Sequence, residues 1–261
     1  MFSKIKKSIK DSFPNVYASY RDYKQKRKQE RDFKRDFQEF RKIAESANKR
    51  FDDKFEFYPE MEDKTKDTPF ESHYTYHPAW AARILAQTRP DKHVDISSIL
   101  HFSTLISAFV PIDFYDYRPA KVILPGLKSE HADLTALPFA SGSVPSISCM
   151  HTIEHIGLGR YGDPLDYDGD LKAIKELKRV LAPNGNLLMV VPIGKPKIAY
   201  NAHRIYAYDQ VVSYFAPLDL VEFSLLPDDF IDVGLIKNAS KEIADQQYWG
   251  CGCFWFKNPG K

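Results

Sequence analysis

The chain has 261 residues and a mass of 30.1 kDa; 43% of its residues are apolar, 14% aromatic and 28% charged. This length and composition predict one sizeable core with an appendage, and they exclude a mini-protein, a disordered chain and a fibrous repeat. The net charge of +2 is unevenly distributed, because residues 1–50 carry +9 and residues 51–261 carry −7. We therefore predict a basic helical arm (1–50), a linker (51–72) and a mildly acidic body (73–261).

The arm opens with an amphipathic pattern. Residues 1–13 place apolar side chains three or four positions apart on one helical stripe, opposite a face of lysines. We expect this helix to dock on an anionic membrane surface or, alternatively, to pack its apolar stripe on the body. From residue 17 to 50, charges and repeated aromatics predict a long solvated helix with an aromatic seam. The interleaving of acidic with basic side chains argues against nucleic-acid binding.

The body alternates short β-rich runs with helical patterns. The predicted strands are residues 93–96, 112–116, 144–150, 186–191, 219–226 and 251–256, and the predicted helices are residues 100–109, 171–180 and 208–215. Continuous apolar runs are typical of parallel strands buried on both faces. The alternation predicts an α/β fold with a doubly wound, mostly parallel sheet. Ligands bind such sheets at the carboxyl ends of the strands, so the residues that follow each strand are the candidate site.

Cysteine usage and hydropathy bear on location. The three cysteines show no zinc-type C-x-x-C spacing, and no signal-peptide pattern opens the chain. The longest mostly apolar stretch, Ile99 to Ile112, contains several polar residues and is shorter than the roughly 20 residues of a membrane span. We predict a reduced, cytoplasmic protein with peripheral contact at the inner face of the membrane. Cys251 and Cys253, two positions apart in a strand, are expected to pack as small apolar groups.

The strand ends carry motifs that resemble a known family. The stretch ADLTALPFASGSVPSISCMHTIEHIG, followed by DLKAIKELKRVLAPNGNLLMVVP, is similar to the central part of class I S-adenosylmethionine-dependent methyltransferases. More narrowly, HVDIS, DFYDYRP, VPIGK, NAHRIY and WGCGCFWFK resemble domain-of-unknown-function family 268, a branch of that fold often met among surface-polysaccharide biosynthesis proteins. The resemblance covers about residues 73–257. It implies an antiparallel last strand and S-adenosylmethionine as cofactor.

The resemblance also implies a set of cofactor-binding residues. They match positions beside the methionine part of the cofactor (Asp95, Ser97), the ribose (Asp116), the adenine (Asp133, Leu134) and the methyl group (His151). A carboxylate such as Asp116 suits the ribose because it accepts two hydrogen bonds from a diol. The first loop departs from the family, since it reads D-I-S-S-I-L-H-F where most methyltransferases have several glycines.

Methyl transfer to a hydroxyl requires removal of one proton, and histidine is a suitable base. The candidate catalytic residues are Glu154, His155 and His203, and the candidates for holding a small-molecule or glycan substrate are Arg160, Asn201 and Arg204. Arg204 suits a bidentate contact with a phosphate or carboxylate of an activated sugar. Four of these residues have a structural alternative: Glu154 and His155 as caps of a strand end, His203 as a partner of backbone groups, and Arg204 as the partner of an acidic residue.

Two other functional classes fit the sequence less well. HTIEH matches the H-x-x-E-H pattern of zinc peptidases, but the strand-like residues before it and the glycines after it oppose the required helix. DYD at 166–168 matches a glycosyltransferase metal motif but lies in a glycine-flanked loop. We expect no metal, and we predict an S-adenosylmethionine-dependent methyltransferase acting on a sugar or glycan precursor in surface polysaccharide biosynthesis. The alternative, which the glycine-poor first loop favours, is a non-catalytic methyltransferase-like scaffold of glycan assembly at the membrane.

Overall fold

The computed structural model describes residues 14–47, 51 and 55–260, and the predicted helix over 1–13 lies outside these residues. The chain divides into two units, the first ending at Phe70 and the second beginning at Glu71. None of the helices described is both long enough and apolar enough to cross a membrane.

The first unit is built on one long helix, α1 (Pro14–Ser46). Proline is tolerated at the first helical position, because the N–H that it lacks has no partner there in any case. Phe33 and Phe37, one turn apart, meet Phe55 and Phe57 edge-on, with ring centroids 4.5 to 5.9 Å apart. The segment after α1 thus covers part of the aromatic seam.

The second unit contains the remaining helices and all of the strands described. The helices are α2 (Ser72–Thr88), α3 (Leu100–Ile106), α4 (Gly169–Val180), α5 (Tyr208–Phe215) and α6 (Lys241–Asp245), with a 3-10 turn at Ile153–His155. The strands are β1 (His93–Ile96), β2 (Ile112–Asp116), β3 (Leu127–His131), β4 (Val144–Met150), β5 (Leu181–Ile193), β6 (Lys197–Ala199), β7 (His203–Ile205), β8 (Asp219–Leu226), β9 (Ile236–Lys237) and β10 (Gly250–Lys257).

Eight strands form one sheet in the order β3-β2-β1-β4-β5-β10-β8-β9, and β6 and β7 form a separate hairpin. The first five strands in this order, from β3 at the edge through β2, β1 and β4 to β5, run parallel to one another. Strand β10 runs antiparallel to both of its neighbours, β5 and β8. This arrangement confirms the predicted doubly wound, mostly parallel sheet with an antiparallel last strand.

Two layers of apolar side chains cover the two faces of the sheet. Alternate residues of β5 point into opposite layers, as strand geometry requires, so Met189 belongs to one layer and Val190 to the other. Leu177 of α4 packs in the first layer, and Trp80 of α2 packs in the second. Cys251 and Cys253 lie in the α2 layer, fully buried, in agreement with their expected packing as small side chains.

Some elements differ from the sequence-based expectation. The first predicted body helix, residues 100–109, ends at Ile106 and continues as a turn. Strand β5 begins at Leu181, five residues earlier than predicted. Several elements of the body were not predicted: α2, β3, the 3-10 turn, the β6–β7 hairpin, β9 and α6. Strand β3 has the sequence LKSEH and pairs only with β2 at the edge of the sheet, so it lacks the apolar run of a central strand.

Candidate functional site

A cavity of about 340 Å³ opens at the carboxyl ends of β1, β2 and β4. Five of the six predicted cofactor-binding residues line it: Ser97, Asp116, Asp133, Leu134 and His151. Parallel neighbouring strands bring these residues together, although they are spread over more than fifty positions of the sequence.

The first loop forms its turn without glycine. Ser97 adopts a left-handed backbone with φ of +54°, a conformation that glycine takes with less strain. Its N–H donates to the carbonyl of Tyr115 at 2.8 Å, and its own carbonyl accepts from Thr152 Oγ1 at 3.1 Å. Hydrogen bonds to the two neighbouring strand ends therefore hold the serine in place at the wall of the cavity.

Asp95, the sixth predicted cofactor-binding residue, lies outside the cavity lining and is fully buried. Its two carboxylate oxygens accept from Ser103 and Ser148, each at 2.5 Å. Burial raises the pKa of Asp95 to about 6. The imidazole of His93 lies between the hydroxyls of Ser146 and Ser148, and burial lowers its pKa to about 3. This polar group joins β1, β4 and α3 beneath the site.

Two further carboxylates lie at the cavity wall. Asp116 accepts from the N–H of Arg118 at 2.6 Å through Oδ1. Asp133 accepts from Thr135 twice through Oδ1, from the N–H at 2.8 Å and from the hydroxyl at 2.7 Å. Both carboxylates are thus oriented by their own turns, while their side chains border the cavity.

His151 directly follows β4 and connects the cavity with the interior. Its Nδ1–H donates to Oε1 of Glu154 at 2.8 Å, and its Nε2 lies 3.5 Å from Cys251 Sγ. Burial lowers the pKa of His151, but Cys251 and Glu154 raise it more, to about 10. Burial also raises the pKa of Cys251 well above its usual value. Oε2 of Glu154 has no hydrogen-bond partner among the described residues.

His155 lines the cavity and is oriented by a backbone carbonyl. Its Nδ1 lies 2.6 Å from the carbonyl oxygen of Ala202, which can only accept, so Nδ1 carries the proton. In the neutral ring, Nε2 then carries a lone pair, and this atom lies 3.8 Å from Oε1 of Glu154. Arg160 Nη1 donates to the same carbonyl at 3.1 Å. The loop after β4 and the start of β7 are thereby neighbours.

His203 begins β7, one residue after that carbonyl, and does not belong to the cavity lining. Its ring stacks on Trp249 with centroids 5.9 Å apart. Partial burial lowers the pKa of His203. The structure therefore places His203 beside the loop of His155 but not at the cavity wall.

Arg204 and Asn201, both predicted to hold substrate, also lie outside the cavity lining. Arg204 is buried; it donates to the carbonyls of Ile156 at 2.7 Å and Tyr167 at 3.0 Å, and pairs with Asp170 at 3.5 Å. These contacts match the structural alternative for Arg204, a pair with an acidic residue. Asn201 is exposed.

Sequence reasoning missed several residues of the cavity wall: Tyr117, Arg118, Thr135, Tyr161 and Lys172. Tyr117 and Arg118 directly follow Asp116, so their position after a strand was an available signal. The guanidinium of Arg118 lies over the ring of Tyr161, 4.6 Å from the centroid. That contact joins two distant loops and has no signal in the sequence.

Comparison with known proteins adds to this geometry. Residues 141–243 match the family described as "Caenorhabditis protein of unknown function, DUF268". No curated protein matches the sequence. A putative methyltransferase from Bacillus halodurans is similar in structure, with a TM-score of 0.50 and 14% identity over 70% of this chain and 98% of that chain.

Two further solved structures are similar. The [4+2]-cyclase SpnF has a TM-score of 0.50 and 11% identity over 70% of this chain and 81% of that chain. The N-methyltransferase NodS from Bradyrhizobium japonicum, solved with S-adenosyl-L-homocysteine, has a TM-score of 0.49 and 14% identity over 70% of this chain and 85% of that chain. Similarity at such low identity concerns the fold. Together with the strand order, the two matches with a TM-score of 0.50 show that the chain has a class I methyltransferase-like fold, and residues 141–243 match the DUF268 family model.

Proposed function

We propose that the protein is an S-adenosylmethionine-dependent methyltransferase that acts on a hydroxyl of a sugar or glycan precursor in surface polysaccharide biosynthesis. The observation that carries this proposal is the convergence of five predicted cofactor-binding residues on one cavity at the strand ends. In the proposed site, Asp116 accepts hydrogen bonds from the two ribose hydroxyls, and Asp133 with Leu134 borders the adenine. When bound, S-adenosylmethionine supplies a methyl group on its sulfonium.

His155 is the base in this proposal. The carbonyl of Ala202 fixes the proton on Nδ1, so Nε2 is the atom that takes the proton of the acceptor hydroxyl. Glu154 acts as a positioning residue, because its hydrogen bond fixes the ring of His151 at the cavity wall.

The choice of a sugar acceptor rests on the resemblance and on the chemistry of the cavity mouth. Asp163 and Asp166 carry carboxylate oxygens that can accept hydrogen bonds from hydroxyls, and the ring of Tyr161, over which the Arg118 guanidinium lies, borders them. A cavity with a few convergent polar groups beside an aromatic surface suits a polyhydroxylated small molecule.

Transfer of labelled methyl groups from S-adenosylmethionine to a panel of nucleotide sugars and glycans tests the proposal. We expect His155→Ala to lower kcat by about 10²- to 10⁴-fold, because a general base contributes that much, while the affinity for S-adenosylhomocysteine stays the same. His101→Ala, at an exposed position of α3, is the matched control and keeps full activity. Equal activity of the two variants would show that His155 is not the base. Methyl transfer to non-sugar hydroxyls alone would contradict the assignment of a glycan substrate.

A non-catalytic, methyltransferase-like scaffold is the second candidate. The observation that favours it is the first loop, in which Ser97 occupies a left-handed turn that glycine would form with less strain. The fold is compatible with other activities, since one similar structure is that of a [4+2]-cyclase. If the protein is such a scaffold, calorimetric titration of the folded protein with S-adenosylmethionine or S-adenosylhomocysteine should give no binding heat.

We further propose that the basic arm brings the protein to the cytoplasmic face of the membrane. Its support is the lysine-rich amphipathic pattern of residues 1–13. Sedimentation with anionic vesicles should weaken from 0.1 M to 1 M salt, because the Debye length falls from about 10 Å to about 3 Å. Equal sedimentation with neutral vesicles would remove electrostatic docking.

A further inference from the structure

A group of buried donor atoms lies behind His151, toward the α2 layer. His73, His151 and Cys251 each offer one donor atom, and the three atoms all lie within 4.8 Å of one another. Their residues are only 5%, 8% and 0% exposed, respectively. They come from the first turn of α2, the end of β4 and the start of β10, so the tertiary fold brings them together.

The best-defined distance in the group fits a tetrahedral zinc ion. With Zn–N bonds of about 2.0 to 2.1 Å and a Zn–S bond of about 2.3 Å, the nitrogen and sulfur ligands are about 3.6 Å apart. His151 Nε2 lies 3.5 Å from Cys251 Sγ. Even if His73 lies at the 4.8 Å limit, its nitrogen needs to approach the other two donors by about 1.2 to 1.5 Å.

Two imidazole nitrogens at this place have no partner, which is a second and independent observation. In the part of the chain that the structure describes, Nδ1 of His73 and Nε2 of His77 are buried without a hydrogen-bond partner. Buried polar atoms are nearly always satisfied. His77 donates its Nδ1–H to the carbonyl of His73 at 2.7 Å, which leaves a lone pair on Nε2. Both rings lie beside His151, with ring centroids 5.3 Å away for His73 and 5.1 Å away for His77, and a cation bound there would satisfy a lone pair that has no other partner.

The surroundings of His151 match those of a metal ligand. A histidine bound to a metal usually donates its second ring N–H to a carboxylate or a carbonyl, which fixes the tautomer. His151 donates its Nδ1–H to Glu154 at 2.8 Å and turns Nε2 toward Cys251. Glu154 therefore already occupies the place of an outer partner.

We propose that His73, His151 and Cys251 bind one Zn²⁺ ion, with the fourth position open to water or a substrate oxygen. Two imidazoles and one thiolate form a donor set that suits zinc, and three protein ligands with an open position are typical of catalytic zinc sites. Binding releases the thiol proton of Cys251 and the Nε2 proton of His151 to solvent. His151 also lines the cavity, which places the ion at its inner end. This site goes beyond the proposed methyl transfer; it shares His151 with the HTIEH motif, but its other two donors come from α2 and β10 and not from a zinc-peptidase helix.

The test uses the full chain, stripped with a chelator and titrated with Zn²⁺ or Co²⁺ alone, without S-adenosylmethionine. We expect one Zn²⁺ per chain by elemental analysis, a rise in Tm on addition of zinc, and a Co²⁺ spectrum with tetrahedral d–d bands and a thiolate charge-transfer band. Failure to bind either metal in a folded wild-type chain would overturn the site and leave the methyltransferase proposal untouched.

Variants separate the proposed ligands from other buried thiols. Cys251→Ser should abolish the charge-transfer band, and Glu154→Gln should weaken zinc affinity by about 10- to 100-fold, as loss of an outer partner does. Cys149→Ser is the matched control, because Cys149 is also a fully buried free thiol but lies in the opposite layer of the core. Retention of the band in Cys251→Ser, or its loss in Cys149→Ser, would contradict the assignment. The wild-type stoichiometry decides the proposal even if a variant does not fold.

Discussion

A carboxylate buried beneath a binding site is costly to ionise, even where hydrogen bonds compensate for part of the lost hydration. Asp95 receives two such bonds, from Ser103 and Ser148, and its pKa still rises to about 6. The folded protein therefore binds this proton more tightly than the unfolded chain, in which an aspartate titrates near pH 3.8. At the scale of single residues, this difference makes stability depend on pH.

We expect the contribution of Asp95 to stability to fall as the pH rises from about 4 to about 6, and to stay low above that range. The difference between the two pKa values corresponds to about 3 kcal/mol. In Asp95→Asn this fall is absent, so the variant gains relative to the wild type across that window. Urea unfolding followed by tryptophan fluorescence at several pH values measures the effect. A wild-type-minus-variant difference that does not change between pH 4 and pH 6 would contradict the assigned role.

At the scale of elements, the loop between β4 and α4 is shaped by close backbone contacts. Gly157 has φ of +78°, and a Cβ placed on it would lie 2.0 Å from the carbonyl oxygen of Asp166. Gly162, in the same loop, has φ of +84° with nothing within 4 Å of its Cβ position. A side chain at either position would be strained by the left-handed backbone. Only at Gly157 would its Cβ also collide with a neighbouring atom.

We therefore predict that Gly157→Ala destabilises the protein clearly more than Gly162→Ala. The control should cost about 1 to 2 kcal/mol from its left-handed backbone, which corresponds to several degrees of Tm for a domain of this size. Gly157→Ala adds displacement of the Asp166 carbonyl and distorts the cavity wall. Thermal unfolding of both variants tests the comparison, and equal Tm values would show that the loop yields without cost.

Arg204 joins the two ends of the same loop through the carbonyls of Ile156 and Tyr167 and through Asp170. Arg204→Met leaves Asp170 as a buried charge without its cation, and breaking a buried ion pair costs about 3 to 5 kcal/mol. Arg83→Met, at an exposed position of α2, should cost less than about 0.5 kcal/mol. Denaturant unfolding gives both values. If Arg204→Met kept the stability of the wild type but lost methyl transfer, Arg204 would be a substrate-binding residue and not a structural one.

At the scale of the whole molecule, the strands that carry the site were predictable from the sequence. β1, β2 and β4 are short apolar runs buried in the centre of the sheet, and their ends placed Asp116 and His151 at the cavity. Edge strand β3 is too polar for that signal. Helix α2 was not predicted because its buried face mixes Trp80 and Ile84 with two histidines, and because it contains a proline.

The rest depends on tertiary packing, which has no local pattern. Asp95 matched a cofactor motif, but its carboxylate accepts hydrogen bonds from serines of α3 and β4 and lies in the interior. His73 and Cys251 are brought to His151 only by the packing of α2 and β10 around the end of β4. Neither arrangement follows from residue spacing along the chain.

The central claim is that the cavity binds S-adenosylmethionine with Asp116 at the ribose. Calorimetric titration of S-adenosylhomocysteine into the full chain tests this most directly, with Asp113→Ala as control, since Asp113 lies on the same strand but pairs with Lys92. We predict one site per chain, weakened at least about 10-fold by Asp116→Ala, because hydrogen bonds to a charged group contribute about 1.5 to 3 kcal/mol each. Asp113→Ala should keep the wild-type affinity. No binding heat from a folded wild-type protein, or equal losses in both variants, would contradict the claim.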